Sequence, residues 1–204
     1  MELILYILTY FLFAFNVIGY GNICAKKILS FNDRANIGYI GIYGIFTLTL
    51  ISYISNLFIE HNYFHNLIIL FLGIFFFIQY VLSIKNFRNN KDIKYLGFFL
   101  LISIFAILYF KSHDDFLYYH LSFIHNLTIN KVEFGLGNFD LAFNHVSSLF
   151  FFHSLFSLPF TIDYFYFVGP ALIMVFSNII LLKSILGFKK KVVFVDFLKI
   201  FIFI

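Results

Sequence analysis

Five long apolar stretches of this chain read as candidate spans, each without a single Asp, Glu, Lys or Arg. They are Leu3 to Tyr20, Ile37 to Ile59, Leu67 to Ser83, Tyr95 to Phe110 and Tyr164 to Leu182. A helix that crosses a bilayer needs about 20 predominantly apolar residues. It satisfies its own backbone hydrogen bonds, which lipid cannot do for it. A transmembrane β-barrel would instead alternate apolar and polar residues over strands of about 10 residues, and these runs do not alternate. The expected fold class is therefore all-α, a polytopic transmembrane helical bundle with an outer-face loop and an interfacial helix. Composition points the same way. The 204 residues are 62% hydrophobic and 12% charged, with a mean hydropathy of +0.94. Soluble domains run at about 45–50% apolar and about 25% charged.

Other function classes fall away on composition. A single cysteine, Cys24, allows neither an intrachain disulfide nor a multi-cysteine metal site. The formal charge of +4 sits in short loops between the apolar runs, so no nucleic acid is expected as a partner. Glu2 stands where a cleavable signal would carry a basic residue, and no small-x-small cleavage site follows the first run.

Loop charge sets the expected orientation, because Lys and Arg concentrate in cytoplasmic loops. The loops at 21–36 and 84–94 hold Lys26, Lys27, Arg34, Lys85, Arg88, Lys91 and Lys94. The turn Glu60 to His65 holds neither Lys nor Arg. That places the N-terminus outside and directs the fourth run outward, with Lys94 and Lys111 snorkelling at its two ends. All seven histidines then lie on the non-cytoplasmic face. Leu141 to Ile162 is apolar but carries Asn144, His145, Ser147, Ser148, His153, Ser154, Ser157 and Pro159. If it crossed, Lys189-Lys190-Lys191 would lie outside, against the charge bias. It is therefore read as a helix at 141–160 lying in the outer interface, with 164–186 as the fifth span. Val192 to Ile204 is too short to cross a ~30 Å core at ~1.5 Å per residue, and is expected to begin a sixth span that is cut short. The resulting division is 1–94 for three N-terminal spans, 95–190 for a second module and 192–204 for the last partial span.

Chemistry concentrates in one segment, Lys111 to Asn144, directly after the fourth run. Its core is His113-Asp114-Asp115-Phe116-Leu117-Tyr118-Tyr119-His120. Ionisable residues at the edge of a membrane span mark functional sites by default. If 113–121 is helical, Asp114 and Tyr118 share a face. The acidic pair admits three readings. One carboxylate can be a general base; the two together can hold a divalent cation through oxygen; or both can be solvated loop residues. His113 and His120 lack the ligand spacing of a zinc site, so no metal ligands are assigned. Glu133, Asn144 and His145 join His113, Tyr118, Tyr119 and His120 as expected substrate-binding residues. Gly135-Leu136-Gly137 marks a turn and is no nucleotide fingerprint, since the third glycine and the preceding strand are absent.

A span, then Asp114-Asp115-Phe116-Leu117-Tyr118 in the first long outer loop, then an amphipathic outer helix and a span with a basic end: this order resembles the N-terminal module of GT-C-type membrane glycosyltransferases. Residues 135–145, Gly-Leu-Gly-Asn-Phe-Asp-Leu-Ala-Phe-Asn-His, are similar to a stretch in bacterial multipass proteins with the same layout. The resemblance covers roughly residues 95–190, and three spans precede it here. It implies an enzyme of cell-envelope polysaccharide assembly in the bacterial inner membrane. A polyprenyl-phosphate sugar donor and a glycan acceptor would meet at the outer leaflet, with Asp114 or Asp115 deprotonating the acceptor or holding a cation near the donor phosphate. The competing expectation is a non-catalytic multipass protein: a polysaccharide flippase, polymerase subunit or assembly component. A coupled transporter fits less well, since the spans hold almost no ionisable residues and no inverted repeat is evident.

Overall fold

The computed structural model describes residues 2–29, 36–84, 90–108, 116–138, 146–159, 161 and 168–186. Among these residues there are helices and no strand. Helix α1, Glu2–Ile23, runs on into a π-helical turn, Cys24–Ile28. Helix α2 is Ile37–Asn56, α3 is Tyr63–Ser83 and α4 is Lys91–Leu108. A π-helical turn, Phe116–His120, leads into α5, Leu121–Ile129. The short α6 is Ser148–Ser154 and α7 is Val168–Leu186.

Four helical stretches are long and apolar enough to cross a membrane: Ile4–Ile28, Ile37–Asn56, Tyr63–Ser83 and Val168–Leu186. Each overlaps one of the apolar runs. Helix α4 is the weakest of the five. Its first turn holds Lys91, Asp92 and Lys94, and the 14 residues from Tyr95 to Leu108 rise only about 21 Å at ~1.5 Å each.

Local chemistry sets the helix starts. The Asn36 side chain accepts a hydrogen bond from Gly38 N at 3.0 Å, and Asn62 accepts one from His65 N at 3.0 Å. Each thereby satisfies an N–H that a helix start leaves orphaned. The Asn62 cap is why α3 begins at Tyr63 and not at Leu67, where the uncharged run begins.

Helix α1 lies at the centre, between α2 and α3; α7 packs on α2, and α4 packs on α7. Glycine makes the central contacts close. A Cβ on Gly19 would sit 2.0 Å from Gly73 O of α3. One on Gly44 would sit 1.9 Å from Val17 O of α1, and one on Gly21 would sit 1.8 Å from Ile40 O of α2. Small residues that let backbones approach are the usual device where lipid removes the hydrophobic drive between helices. Around them lies a dense core, with Tyr10, Phe13, Val17 and Ile18 of α1 fully buried against Leu48 of α2, Phe156, and Leu172 and Phe176 of α7. Phe13 and Phe156 place ring centroids 4.1 Å apart. Tyr10 Oη and Ser103 Oγ of α4 hydrogen-bond at 2.5 Å.

The two ends of the bundle differ. At one end the Lys183 Nζ of α7 meets Asp92 Oδ2 of α4 at 2.8 Å. Lys91 and Lys94 lie on the same turn of α4. At the other end the α2–α3 turn meets α5 and α6.

Within the segment read as an outer loop, residues 116–129 are helical. Within 141–160, the described helix is the seven residues of α6, about 10 Å long at ~1.5 Å per residue. Its Phe150, Phe151, Phe152, His153 and Ser154 are buried between α2, α5 and α7. Of the polar residues that suggested an interfacial helix, His153 and Ser154 face inward, Ser148 is exposed, and Asn144 and His145 lie outside the described residues.

Candidate functional site

The end of the molecule carrying α5 and α6 is held by a buried polar network. Its centre is His61, in the turn after α2 and fully buried. His61 Nδ1 meets Ser154 Oγ of α6 at 2.6 Å, and His61 Nε2 meets Ser55 Oγ of α2 at 3.0 Å. Ser154 Oγ lies 2.7 Å from Phe151 O. A hydroxyl has one proton. Ser55 Oγ likewise lies 3.3 Å from Ser52 O, so each ring nitrogen of His61 has a serine hydroxyl as its partner, one accepting and the other donating according to the tautomer. The Ser52 hydroxyl also donates to Phe151 O. The ring of His65 stacks on that of His61, with centroids 4.8 Å apart and planes 9° from parallel.

Two asparagines complete the network. Asn66 of α3 directs its amide nitrogen at His61 O (2.9 Å), Ser154 O (2.9 Å) and Ser157 O (2.8 Å), tying the end of α6 to the start of α3. Its Oδ1 meets His65 Nδ1 at 3.0 Å. Asn56, in the last turn of α2, donates to Leu127 O at 3.0 Å and to Asn130 O at 3.4 Å. Its carbonyl accepts from Val132 N at 3.1 Å, and His61 N donates to Leu127 O at 2.9 Å. The C-terminal end of α5 is thus latched to the α2–α3 turn. Asn56 Oδ1 is buried and has no hydrogen-bond partner among the described residues.

Burial, and then the neighbouring His65, lower the pKa of His61 to about 3. His153 of α6 is lowered to about 3 as well, by burial first and by His120 second. A Cβ on Gly169 would lie 2.2 Å from His153 Nε2, so the imidazole packs against the backbone of α7 where only glycine fits. Both imidazoles are neutral at physiological pH.

The expected site residues divide sharply. Asp114 and Asp115, together with His113, Asn144 and His145, lie outside the described residues. Tyr118 is exposed, as is Glu133. Tyr119 and His120 are half-buried, and the His120 ring lies 4.9 Å from Phe150 of α6 and 4.3 Å from Tyr119. Phe116, the residue after Asp115 in the chain, is buried with Phe123, Ile124 and Leu127 against Phe150 and Phe151. The structure therefore brings His120 to α6 and leaves Tyr118 and Glu133 outward. Among the described residues no group of three or more His, Cys, Asp or Glu side chains could hold a metal ion.

Ser52, Asn56, His61, Asn66 and Ser154 escape a reading of local motifs. Their signal in the sequence is faint: isolated polar residues in or beside apolar runs, each a candidate inward-facing group. Over its full length, residues 1–204, the chain matches the family described as Domain of unknown function (DUF8201). No curated protein and no solved structure matches it.

Proposed function

We propose that this chain, which belongs to the Domain of unknown function (DUF8201) family, is a multi-pass membrane protein carrying a glycosyl-transfer site at its non-cytoplasmic end. The supporting observation is an inside-out distribution of side chains. Ser52, Asn56, His61, Asn66, Ser103 and Ser154 are buried, while Phe71, Phe75 and Leu82 of α3 and Phe98 and Phe105 of α4 are exposed. Water would favour the reverse, whereas hydrocarbon has no objection to phenylalanine on the outside. Helix α4 completes a fifth crossing with its lysines at the interface. The basic residues of α4 and α7 gather at the end opposite the polar network, as the charge bias requires of the cytoplasmic side.

Support for the chemistry comes from position along the chain. Asp114-Asp115 immediately precede a helix whose first residue, Phe116, is packed on α6 and whose last turn is latched by Asn56 and His61. In the proposed reaction one carboxylate takes the proton of an acceptor hydroxyl. The oxygen attacks the anomeric carbon of a lipid-linked sugar. The bond from that carbon to the phosphate oxygen breaks, and polyprenyl phosphate leaves with the electron pair. The cation reading of the acidic pair would add charge neutralisation at the leaving phosphate.

Asp114→Asn and Asp115→Asn keep size and remove charge. Loss of a general base should lower transfer from a polyprenyl-phosphate sugar about 10²–10⁴-fold with unchanged membrane insertion. Wild-type transfer in the double variant would overturn the catalytic reading and favour a non-catalytic assembly component.

A further inference from the structure

The turn that joins α2 to α3 has two faces of opposite character. Its inward face carries His61 and the Asn62 cap. Its outward face exposes Leu57, Phe58, Ile59, Tyr63 and Phe64, with Phe58 67% and Phe64 75% accessible. Ile129, at the latched end of α5, is exposed as well. Turns between helices that end in water are ordinarily polar, and contiguous exposed apolar surface marks something that covers it. The turn contains no Lys or Arg, and Glu60 is its only acidic residue.

The patch does not stop at the turn. From Phe64 it continues along one side of α3 through Ile68, Phe71 and Phe75 to Leu82. What covers that side of α3 therefore covers the turn. Helix α3 has 21 residues, about 31 Å at ~1.5 Å each, against a hydrocarbon core of ~30 Å. Its first residue, Tyr63, then falls at the boundary of the hydrocarbon, the level that amphipathic aromatics favour.

We infer that the α2–α3 turn is a lipid-binding wedge, seated in the boundary between headgroups and acyl chains and not in bulk water. Its occupant is bilayer lipid. The buried network beneath the turn then sits at headgroup depth, and a lipid-borne substrate reaches that end of the protein by lateral diffusion. This inference rests on the multi-pass membrane reading.

The chain has no tryptophan, so each introduced one reports alone. Phe58→Trp and Tyr63→Trp probe the turn at two exposed positions, and Phe71→Trp probes the middle of α3. Each is reconstituted in phosphatidylcholine vesicles brominated either near the top or near the end of the acyl chains, and iodide is added to the water. Phe58→Trp and Tyr63→Trp should emit blue-shifted light, resist iodide and be quenched several-fold more by shallow than by deep bromine. Phe71→Trp should show the opposite depth preference. Red-shifted, iodide-quenched emission from both turn variants, with Phe71→Trp still quenched by deep bromine, overturns the wedge alone. Turn variants insensitive to both quenchers indicate a protein contact and overturn it equally. A Phe71→Trp emission blind to both bromines overturns the membrane reading, and the wedge with it.

Discussion

At the scale of single residues, His61 governs how this protein should respond to acid. Its folded pKa of about 3 lies below the ordinary imidazole value of 6.5, and the same holds for His153. Between those two values the unfolded chain binds protons that the folded chain refuses. Stability is therefore complete above about pH 6.5 and declines as pH falls toward 3, by at most about 1.4 kcal/mol per pH unit for each histidine. Thermal unfolding in detergent, followed from pH 7.5 to 4, should show a falling midpoint. A His61→Gln variant should lose less of its own stability over that range. A midpoint independent of pH in the native protein would contradict neutral burial. Asn66 is a purely structural test of the same network. Asn66→Leu removes the amide donor shared by three carbonyls, of which Ser154 O keeps a bond from Ser157 N while His61 O and Ser157 O lose theirs. With about 1–3 kcal/mol for a buried group left unpaired, its unfolding midpoint should fall even at pH 7.5.

At the scale of helices, the close approach of α1 to its two neighbours depends on hydrogen in place of a side chain. The atoms that a Cβ would strike are backbone carbonyls: Gly73 O for Gly19 and Val17 O for Gly44. Backbone cannot rotate away as a flexible side chain would. Gly44→Val should separate α1 from α2 and cost more than the ~1–3 kcal/mol typical of overpacking. Gly97 has nothing within 4 Å of an added Cβ, so Gly97→Ala should be neutral or slightly stabilising. Comparing the two by unfolding temperature separates backbone contact from helix propensity.

Helices of this kind are legible in a sequence because one requirement, some twenty apolar residues, writes itself locally. The second run matches α2 to within its last turn: the uncharged stretch goes on to Ile59, while the helix stops at Asn56, whose side chain turns to α5. The first run stops at Tyr20 on hydropathy, yet helix continues to Ile28, because Asn22 is buried and two lysines can reach past the end. The polar network left no comparable trace. His61 and Ser154 stand 93 residues apart, and Asn56 and Leu127 stand 71 apart. A single sequence does not pair such residues. The acidic pair was conspicuous for the opposite reason, since six ionisable or phenolic side chains fall within eight consecutive positions.

At the scale of the whole molecule, the distribution of charge between the two ends carries the proposed orientation. Reporter fusions near residues 30, 90 and 190 should register as cytoplasmic, and fusions near 62 and 130 as external. A fusion near 190 that reports the external side would reverse α7 and break the parity. The Lys183–Asp92 pair at the basic end is partly solvated, with side chains 33% and 21% accessible. Partly exposed pairs contribute little, so Asp92→Asn should leave the unfolding temperature nearly unchanged while keeping the bundle intact.

The distance along the chain between the two halves of the polar network has a consequence for biogenesis. A ribosome adds ~5–20 residues per second, so roughly 5–20 s separate the synthesis of His61 from that of Ser154. For that interval α2 and α3 are already made, with His61, Asn56 and Asn66 still lacking their bonds to α5 and to the end of α6. A hairpin with unpaired imidazole and amide groups at its tip carries a desolvation cost at the membrane boundary until those groups are paired. It should linger beside the insertion machinery until α6 arrives to cap it. The release of this protein into the bilayer is then timed by a seven-residue helix that crosses nothing.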